Sequence, residues 1–288
     1  MLAAAALVFN ALVWGLSWIP FRSLQAAGVH PLWATSLVFG AALVVILLWR
    51  PAAWRGFIGQ PGLWVLFAAA GMANVGFNWA VTIGDVVRVT LLFYTMPAWA
   101  VLLAWLLLGE RPTRARLMQL GLALFGVAVV LKQPGTAWPV PESLADYLSL
   151  LGGFSFALTN VVLRRLRSVA ADAKMLAMFG GGAGTAAVAV VLGMASGLVP
   201  ALPALEPGWA LWAASLSLGF VGGNLALQYG AARLTAVTGA LIMLSEVLFA
   251  SVSSVLMGAG AVDARTLAGG TMILLAALLA SRSDQKGL

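Results

Sequence analysis

Cysteine is absent from the sequence, histidine occurs once, and charged residues are scarce. Asp, Glu, Lys and Arg make up 9% of the 288 residues and hydrophobic residues make up 62%, whereas soluble domains carry about 25% charged residues. A soluble fold could not cover its surface with so little charge, so we predict an integral membrane protein. Without cysteine no disulfide or thiolate site can form, and His30 alone cannot build a histidine-based metal site. We expect neither a metal nor a cofactor.

Apolar segments long enough to cross a bilayer as a helix, about 17 to 25 residues, recur along the whole chain. They cover approximately residues 3–21, 31–49, 61–83, 87–108, 115–131, 145–163, 174–195, 208–230, 235–257 and 265–281. Strands of a membrane barrel would alternate in polarity, and these segments do not. The predicted fold class is an all-α integral membrane protein with ten transmembrane helices.

The basic residues predict the orientation, because cytoplasmic loops hold an excess of Lys and Arg. If ten spans alternate and the N-terminus is inside, twelve of the 16 basic residues fall on the cytoplasmic side. We therefore predict a multi-pass protein of the bacterial inner membrane with both termini cytoplasmic, and interpret the first segment as a retained helix. This topology accounts for the net charge of +7 without nucleic acid. The expected partners are the lipid bilayer and a small-molecule substrate, and we expect a monomer.

Three pairs of segments align in the same order along the chain. They are 14–24 with 156–166 (an offset of 142), 74–80 with 224–230 (an offset of 150), and 115–121 with 264–270. The alignments predict two halves of five spans each, residues 1–135 and 136–288. Because five is odd, the halves must have opposite orientations in the membrane. Inverted repeats of this type characterise transporters, whose substrate site lies near the midplane between the halves.

Two stretches carry a family resemblance: the tight turn "TIGDVV" at 82–87 and "MPAWAVLLAWLLLGERPT" at 96–113. With the ten spans, they make the chain resemble the EamA group of the drug/metabolite transporter superfamily over about residues 5 to 281. Within that group it is similar to bacterial aromatic amino acid exporters of the YddG type. The second half departs from the pattern, because Val247 stands where Pro is expected and "MGAGAVD" replaces "LGE".

The resemblance implies a secondary transporter that exports small metabolites, above all aromatic and other neutral amino acids, by alternating access. Export of drugs or other metabolites, or flipping of a lipid-linked precursor, is the alternative that it leaves open. An enzyme is not expected, because the sequence has no HExxH motif, no GxSG motif and no paired carboxylates within spans. The Gly-rich stretch 179–187 lacks the preceding strand of a phosphate loop, so we interpret it as a close helix contact.

Polar side chains within spans usually face the protein interior or a water-filled cavity. Asn74 and Asn78 are spaced i, i+4 and share a helix face, and Asn224 and Gln228 repeat that spacing in the second half. Uncharged amides suit the backbone of an amino acid, so we predict that these four line the pathway. The alternative is hydrogen bonding that only holds the helices together.

Aromatic residues deep within spans form a second group. Trp14 and its repeat partner Phe156 lie too deep for interfacial anchors, and with Phe77 and Tyr94 they could wall a pocket for flat apolar ligands. Core packing is the alternative. The residues that we expect to bind substrate are Trp14, Ser17, Asn74, Phe77, Asn78, Tyr94, Met96, Phe156, Asn160, Asn224, Gln228 and Glu246.

Glu246 is the carboxylate placed in the middle of an apolar segment, where a charge costs about 2.5–3.5 kcal/mol on insertion scales. It could be protonated, hydrogen-bonded to neighbours, or exposed to an aqueous cavity, and its role could be substrate binding, proton coupling or structure. Its repeat partner is Met96, so the repeat does not require a carboxylate there. Pro97, which follows, removes a helical hydrogen bond and predicts a bend that could act as a hinge.

Overall fold

The computed structural model describes residues 2–109, 113–132, 140–231, 233–234, 242–243 and 245–283. Every regular element among these residues is a helix. In chain order the helices are α1 (Leu2–Leu16), α2 (Trp18–Ala26), α3 (Pro31–Trp49), α4 (Ala53–Ile58), α5 (Pro61–Ile83), α6 (Val86–Phe93), α7 (Met96–Leu108), α8 (Arg114–Leu131), α9 (Leu144–Arg165), α10 (Ala171–Ala195), α11 (Pro207–Ala231), α12 (Ser245–Leu256) and α13 (Ala264–Ser283).

Seven helical stretches of the described chain are long and apolar enough to cross a membrane. They are Leu2–Ala26, Pro31–Trp49, Pro61–Ile83, Val86–Leu108, Leu144–Arg165, Ala171–Ala195 and Pro207–Leu227. Each coincides with a predicted span, and the other three predicted spans contain shorter apolar helices: Leu117–Leu131, Ser245–Leu256 and Ala264–Ala276. The prediction of an all-α, multi-pass membrane protein is confirmed.

Two of these stretches are interrupted. Between α1 and α2, the amide and the hydroxyl of Ser17 both donate to the carbonyl of Trp14, at 3.2 and 2.7 Å. Between α6 and α7, the amide of Tyr94 donates to Thr90 O at 3.0 Å and that of Thr95 to Leu92 O at 3.2 Å. The predicted bend at Pro97 is therefore preceded by a short turn at Tyr94–Thr95, which we call the break between α6 and α7, and α7 begins with a proline in its first turn, where the missing N–H is tolerated.

The helices pack pairwise through small residues. A Cβ atom on Gly76 of α5 would lie 2.7 Å from Leu148 O of α9, and one on Gly126 of α8 would lie 2.7 Å from Gly269 O of α13. In the Gly-rich stretch of α10, a Cβ atom on Gly181 would collide with the Phe67 carbonyl of α5. Glycine at these positions lets the helix backbones approach closely, which is how helices associate without a hydrophobic driving force.

The turn at residues 84–88 joins elements from both halves of the chain at one end of the bundle. Val86 N–H donates to Ala259 O at 3.3 Å, and Ala261 N–H donates to the Asp85 carboxylate at 2.7 Å. The guanidinium of Arg22 donates to the carbonyls of Val81 and Gly84. We call this the Asp85 end of the bundle.

A buried ion pair fastens the same turn to the start of α9. Arg88 Nε and Nη2 donate to the two carboxylate oxygens of Asp146 at 2.7 and 3.0 Å, and Nη1 donates to Val130 O at 2.7 Å. The Asp146 side chain is 2% exposed and that of Arg88 is 19% exposed. Asp146 also forms a capping box with Ser143, which fixes the first turn of α9.

Gly181→Ala should destabilise the protein by about 1–3 kcal/mol, the usual cost of overpacking, because the new methyl group meets backbone that cannot move aside. The matched control is Gly40→Ala in α3, where a Cβ atom meets nothing within 4 Å, and where alanine should be neutral or stabilise by up to about 1 kcal/mol. Thermal unfolding in detergent measures both. Equal melting temperatures for the two variants would contradict the close α5–α10 contact.

Asp146→Asn should destabilise the protein strongly, because it leaves the Arg88 charge without its partner. Breaking a buried pair costs about 3–5 kcal/mol, and the partial exposure of Arg88 places our expectation at the lower limit. Glu206→Gln, which neutralises an exposed acid, is the control. The double variant Arg88→Met/Asp146→Leu should lose less stability than Asp146→Asn alone. Unchanged unfolding of the single variant would contradict a structural role for the pair.

Candidate functional site

Tyr94 and Glu246 meet between the two halves of the chain. The Tyr94 hydroxyl donates to Glu246 Oε2 at 3.1 Å and lies 3.4 Å from the carbonyl of Met243. Tyr94 is 4% exposed and Glu246 is 9% exposed. Tyr94 occupies the break between α6 and α7, and Glu246 lies in the first turn of α12. Irregular backbone of this kind occurs within membranes only where protein or a cavity surrounds it.

The Glu246 carboxylate has a neutral hydrogen-bond donor but no described counterion. In the described part of the chain, the ion pair between Arg88 and Asp146 is the one contact of a cation with a carboxylate within 4.0 Å. A buried carboxylate without a cation is costly. Binding of a ligand's ammonium group or of a proton would therefore stabilise this carboxylate.

Aromatic rings surround Phe93, the residue directly before Tyr94. Ring centroids lie 4.8 Å apart for Phe77 and Phe93, 5.5 Å for Phe93 and Phe156, and 6.4 Å for Phe93 and Tyr94. We call these four residues the Phe93 cluster. The structure thus brings together three of the four predicted aromatic residues around a phenylalanine that the sequence analysis did not single out. Met96 packs against the same apolar core.

Trp14 lies in a different aromatic group. Its ring stacks on Phe220 with centroids 4.4 Å apart and an interplanar angle of 20°, and Phe220 also contacts Phe21 and Phe39. Trp14 packs against α11, whereas Phe156 packs against α6. The two residues that the sequence alignment pairs therefore lie in different aromatic groups.

The predicted polar residues have diverse partners. Asn78 is fully buried, and its Nδ2 donates to Thr35 Oγ1 at 3.3 Å. Three others donate to a carbonyl three or four residues earlier in the chain: Asn74 Nδ2 to Ala70 O at 2.8 Å, Asn160 Nδ2 to Phe156 O at 3.0 Å, and Ser17 Oγ to Trp14 O at 2.7 Å. Asn224 is half-buried on α11. Gln228 belongs to the same helix, but its side chain lies outside the described residues.

Asn10 is a buried polar residue that the sequence analysis did not single out. It is 1% exposed, and its Nδ2 donates to the Met243 sulfur at 3.4 Å. Met243 thereby contacts both Asn10 and Tyr94. The Asn10 Oδ1 atom has no hydrogen-bond partner among the described residues, and a Cβ atom on Gly223 would lie 3.2 Å from it. An amide in the middle of the first apolar segment was the signal that could have identified it.

Unpaired polar atoms occur near the α6–α7 break as well. Thr95 Oγ1 and Trp99 Nε1 are buried and have no hydrogen-bond partner in the described part of the structure. The same holds for Asn78 Oδ1 on α5, whose Nδ2 contacts Thr35 of α3. Buried polar groups without partners are uncommon and need an explanation, such as a ligand or water. The region thus combines an aromatic cluster, a buried carboxylate and unpaired polar atoms, the types of group that line small-molecule sites.

Comparison with known proteins agrees with a membrane transporter. Residues 1–132 match the EamA-like transporter family. An uncharacterized transporter of Pseudomonas aeruginosa is 31% identical over 135 residues, which are 43% of this chain and 44% of the relative. Protein RarD of Streptomyces exfoliatus is 28% identical over 176 residues, which are 57% of this chain and 53% of the relative. The chain thus aligns with about half the length of the curated relatives it matches.

The fold has a counterpart among solved crystal structures. One protein superposes with a TM-score of 0.62 at 19% sequence identity, and the superposition covers 99% of this chain and 98% of that protein. The likeness extends over the second half of the chain, which the family match does not reach, but at this identity it concerns the fold alone. The match of residues 1–132 to the EamA-like transporter family confirms the resemblance to the EamA group over the first half of the chain.

Proposed function

We propose that the protein is a secondary transporter of small, partly apolar metabolites, with aromatic and other neutral amino acids as the first candidates for export. The observation that carries the proposal is the contact between Tyr94 and Glu246, because it places a buried carboxylate from one half against the helix break of the other. The EamA-like first half and the transporter relative support the same function. Export of drugs or other metabolites, or flipping of a lipid-linked precursor, is the alternative.

In this proposal residues 1–135 and 136–288 form an inverted repeat of ten spans. The packing supports it, because the main helix contacts come in corresponding pairs. If α1, α3, α5, α6–α7 and α8 correspond to α9, α10, α11, α12 and α13, then α5 on α9 corresponds to α11 on α1, and α7 on α9 corresponds to α12 on α1. The contacts of α3 with α10 and of α8 with α13 correspond to themselves, as an axis of symmetry requires.

We assign the Asp85 end of the bundle to the outside of a bacterial inner membrane. The opposite end carries Arg55 between α3 and α5, Arg164 and Arg165 in the last turn of α9, and Arg167 between α9 and α10. The excess of basic residues there supports a cytoplasmic location under the positive-inside rule. Both termini are then cytoplasmic, and we take the monomer as the transporting unit.

The site supports a specific pose for an amino acid. Its ammonium group would donate to the Glu246 carboxylate, a charge-assisted bond that is stronger than a neutral one. Its side chain would lie against the Phe93 cluster, since aromatic pairs gain about 0.5–1.5 kcal/mol beyond their area burial. Thr95 Oγ1 and Asn10 Oδ1 offer the further hydrogen bonds that a carboxylate and an ammonium require.

Glu246 could instead exchange a proton during each cycle. Both roles use the same carboxylate, and both depend on the Tyr94 hydroxyl to hold it. The two roles differ in which activity remains when the carboxylate is replaced by a neutral group. Proton exchange requires an ionisable group, whereas binding of an ammonium requires a negative charge. A purely structural Glu246 requires neither.

Glu246→Gln in proteoliposomes distinguishes these roles. If Glu246 binds the ammonium, gradient-free counterflow of a labelled aromatic amino acid should fall by about tenfold or more, because a hydrogen bond to a charged group contributes about 1.5–3 kcal/mol. If it only exchanges protons, counterflow should persist while transport driven by a pH gradient stops. Tyr94→Phe should weaken the affected activity in the same direction, and Trp54→Ala, at an exposed position, is the control. Normal activity of the Gln variant in both assays would refute a functional carboxylate.

Phe156→Leu and Trp14→Leu decide which aromatic group contacts the substrate. We favour the Phe93 cluster, because it adjoins Glu246. Phe156→Leu should therefore raise the KM for an aromatic amino acid by about twofold to tenfold, the equivalent of one aromatic contact, and leave the KM for leucine nearly unchanged. Trp14→Leu, in the other aromatic group, should leave the ratio of the two KM values unchanged. The reverse pattern would move the site to the Trp14 side.

A further inference from the structure

A cleft opens at the end of the bundle opposite to the Asp85 end. It lies where α4 and the start of α5 approach the ends of α7 and α9 and the start of α10, and its volume is about 990 Å³. Two arginines, Arg55 and Arg165, line it together with apolar side chains. We call it the Arg165 cleft. It shares no residue with the Tyr94–Glu246 site.

One wall of the Arg165 cleft is apolar and exposed at the outside of the bundle. Val65 and Leu107 line the cleft and are 49% and 45% exposed, so an acyl chain can reach them from the bilayer. Two exposed tryptophans, Trp54 and Trp64, flank this region, and exposed tryptophan is typical of the depth at which lipid headgroups lie. The cleft therefore spans the boundary between headgroups and hydrocarbon.

The rim of the cleft is positively charged. Arg55 and Arg165 are exposed, and neither lies within 4.0 Å of any described carboxylate. The first turns of α5 and α10 also border it, and the N-cap residues of these helices, Gln60 and Ala170, make no side-chain cap hydrogen bond. Helix N-termini carry a partial positive charge. Asp172 is the nearby acid, and its Oδ1 accepts from the amide of Ala173.

We propose that the Arg165 cleft binds one anionic phospholipid from the leaflet at this end of the bundle. The phosphate would contact the guanidinium groups of Arg55 and Arg165, and an acyl chain would follow the wall formed by Val65 and Leu107. Basic pockets between transmembrane helices are suited to anionic headgroups. A free anion would contact the arginines alone. The apolar wall of the cleft is instead suited to the acyl chain of an amphipathic ligand.

The cleft lies beside an apolar contact in which Phe57 and Leu63 pack with Val162 and Leu176. A lipid held by Arg55, before α5, and by Arg165, at the end of α9, would connect the two halves of the chain across an open cleft. We therefore expect the lipid to stabilise the folded protein. This inference does not depend on the transported substrate, and it can be tested without a transport assay.

The test is lipid binding by the purified full-length protein in detergent. Dioleoylphosphatidylglycerol should raise the melting temperature and remain bound in native mass spectra, whereas dioleoylphosphatidylcholine, with the same acyl chains, should do neither. Arg55→Gln/Arg165→Gln should weaken phosphatidylglycerol binding by about tenfold or more, since each basic residue contributes to attraction of an anionic lipid. Arg167→Gln removes a charge from the same connection but from outside the cleft, and it should bind the lipid normally.

Three results would overturn the proposal. The first is equal binding of phosphatidylglycerol by the double variant and the unmodified protein. The second is an equal loss in Arg167→Gln, which would indicate unspecific attraction to basic residues. The third is equal stabilisation by inorganic phosphate or glycerol 3-phosphate at the same concentration, which would indicate a free-anion site without a role for the acyl chain.

Discussion

Within hydrocarbon, every backbone amide and carbonyl must find its partner inside the protein, and this requirement governs where the molecule can be irregular. Its helices are continuous where they meet lipid and are interrupted at Ser17 and at Tyr94–Thr95, which are buried. The second interruption brings the Tyr94 hydroxyl to the Glu246 carboxylate. The candidate site is thus a consequence of the backbone, because a broken helix needs the protein around it and in turn presents polar groups inside the bilayer.

Close packing and one ion pair hold the halves of the chain together. Glycines at the α5–α9, α5–α10 and α8–α13 contacts bring backbones near enough for dispersion to act without a hydrophobic driving force. At the Asp85 end, Arg88 and Asp146 add charge-assisted hydrogen bonds in a mostly buried setting. The opposite end instead has the Arg165 cleft. The two ends of the bundle therefore differ: one has a charged contact between the halves, and the other has apolar packing beside an open cleft.

Much of the fold could be predicted from the sequence, because hydropathy over a window reports length and position of a span directly. The spans predicted at 31–49 and 61–83 coincide with α3 and α5. The site could be predicted less well, because hydropathy does not indicate which neighbouring helix a given helix face packs against. The sequence alignment of the two halves predicts that Trp14 and Phe156 line one pocket, but the two residues pack in separate aromatic groups. The role of Phe93 could not be predicted, because an apolar side chain in an apolar helix does not differ from its neighbours in the sequence.

The ion pair between Arg88, in the first half of the chain, and Asp146, in the second, lies at only one end of the bundle. The repeat offsets place Thr238 opposite Arg88 and Ala4 opposite Asp146, so no equivalent pair of charges exists at the other end. Two identical inverted halves would give the inward-open and outward-open states equal free energies. In a transporter built as proposed, the ion pair would make the free energies of the two states unequal. The empty protein would then rest with its outer mouth shut, and the energy of loading substrate from the cytoplasm would be needed to open it.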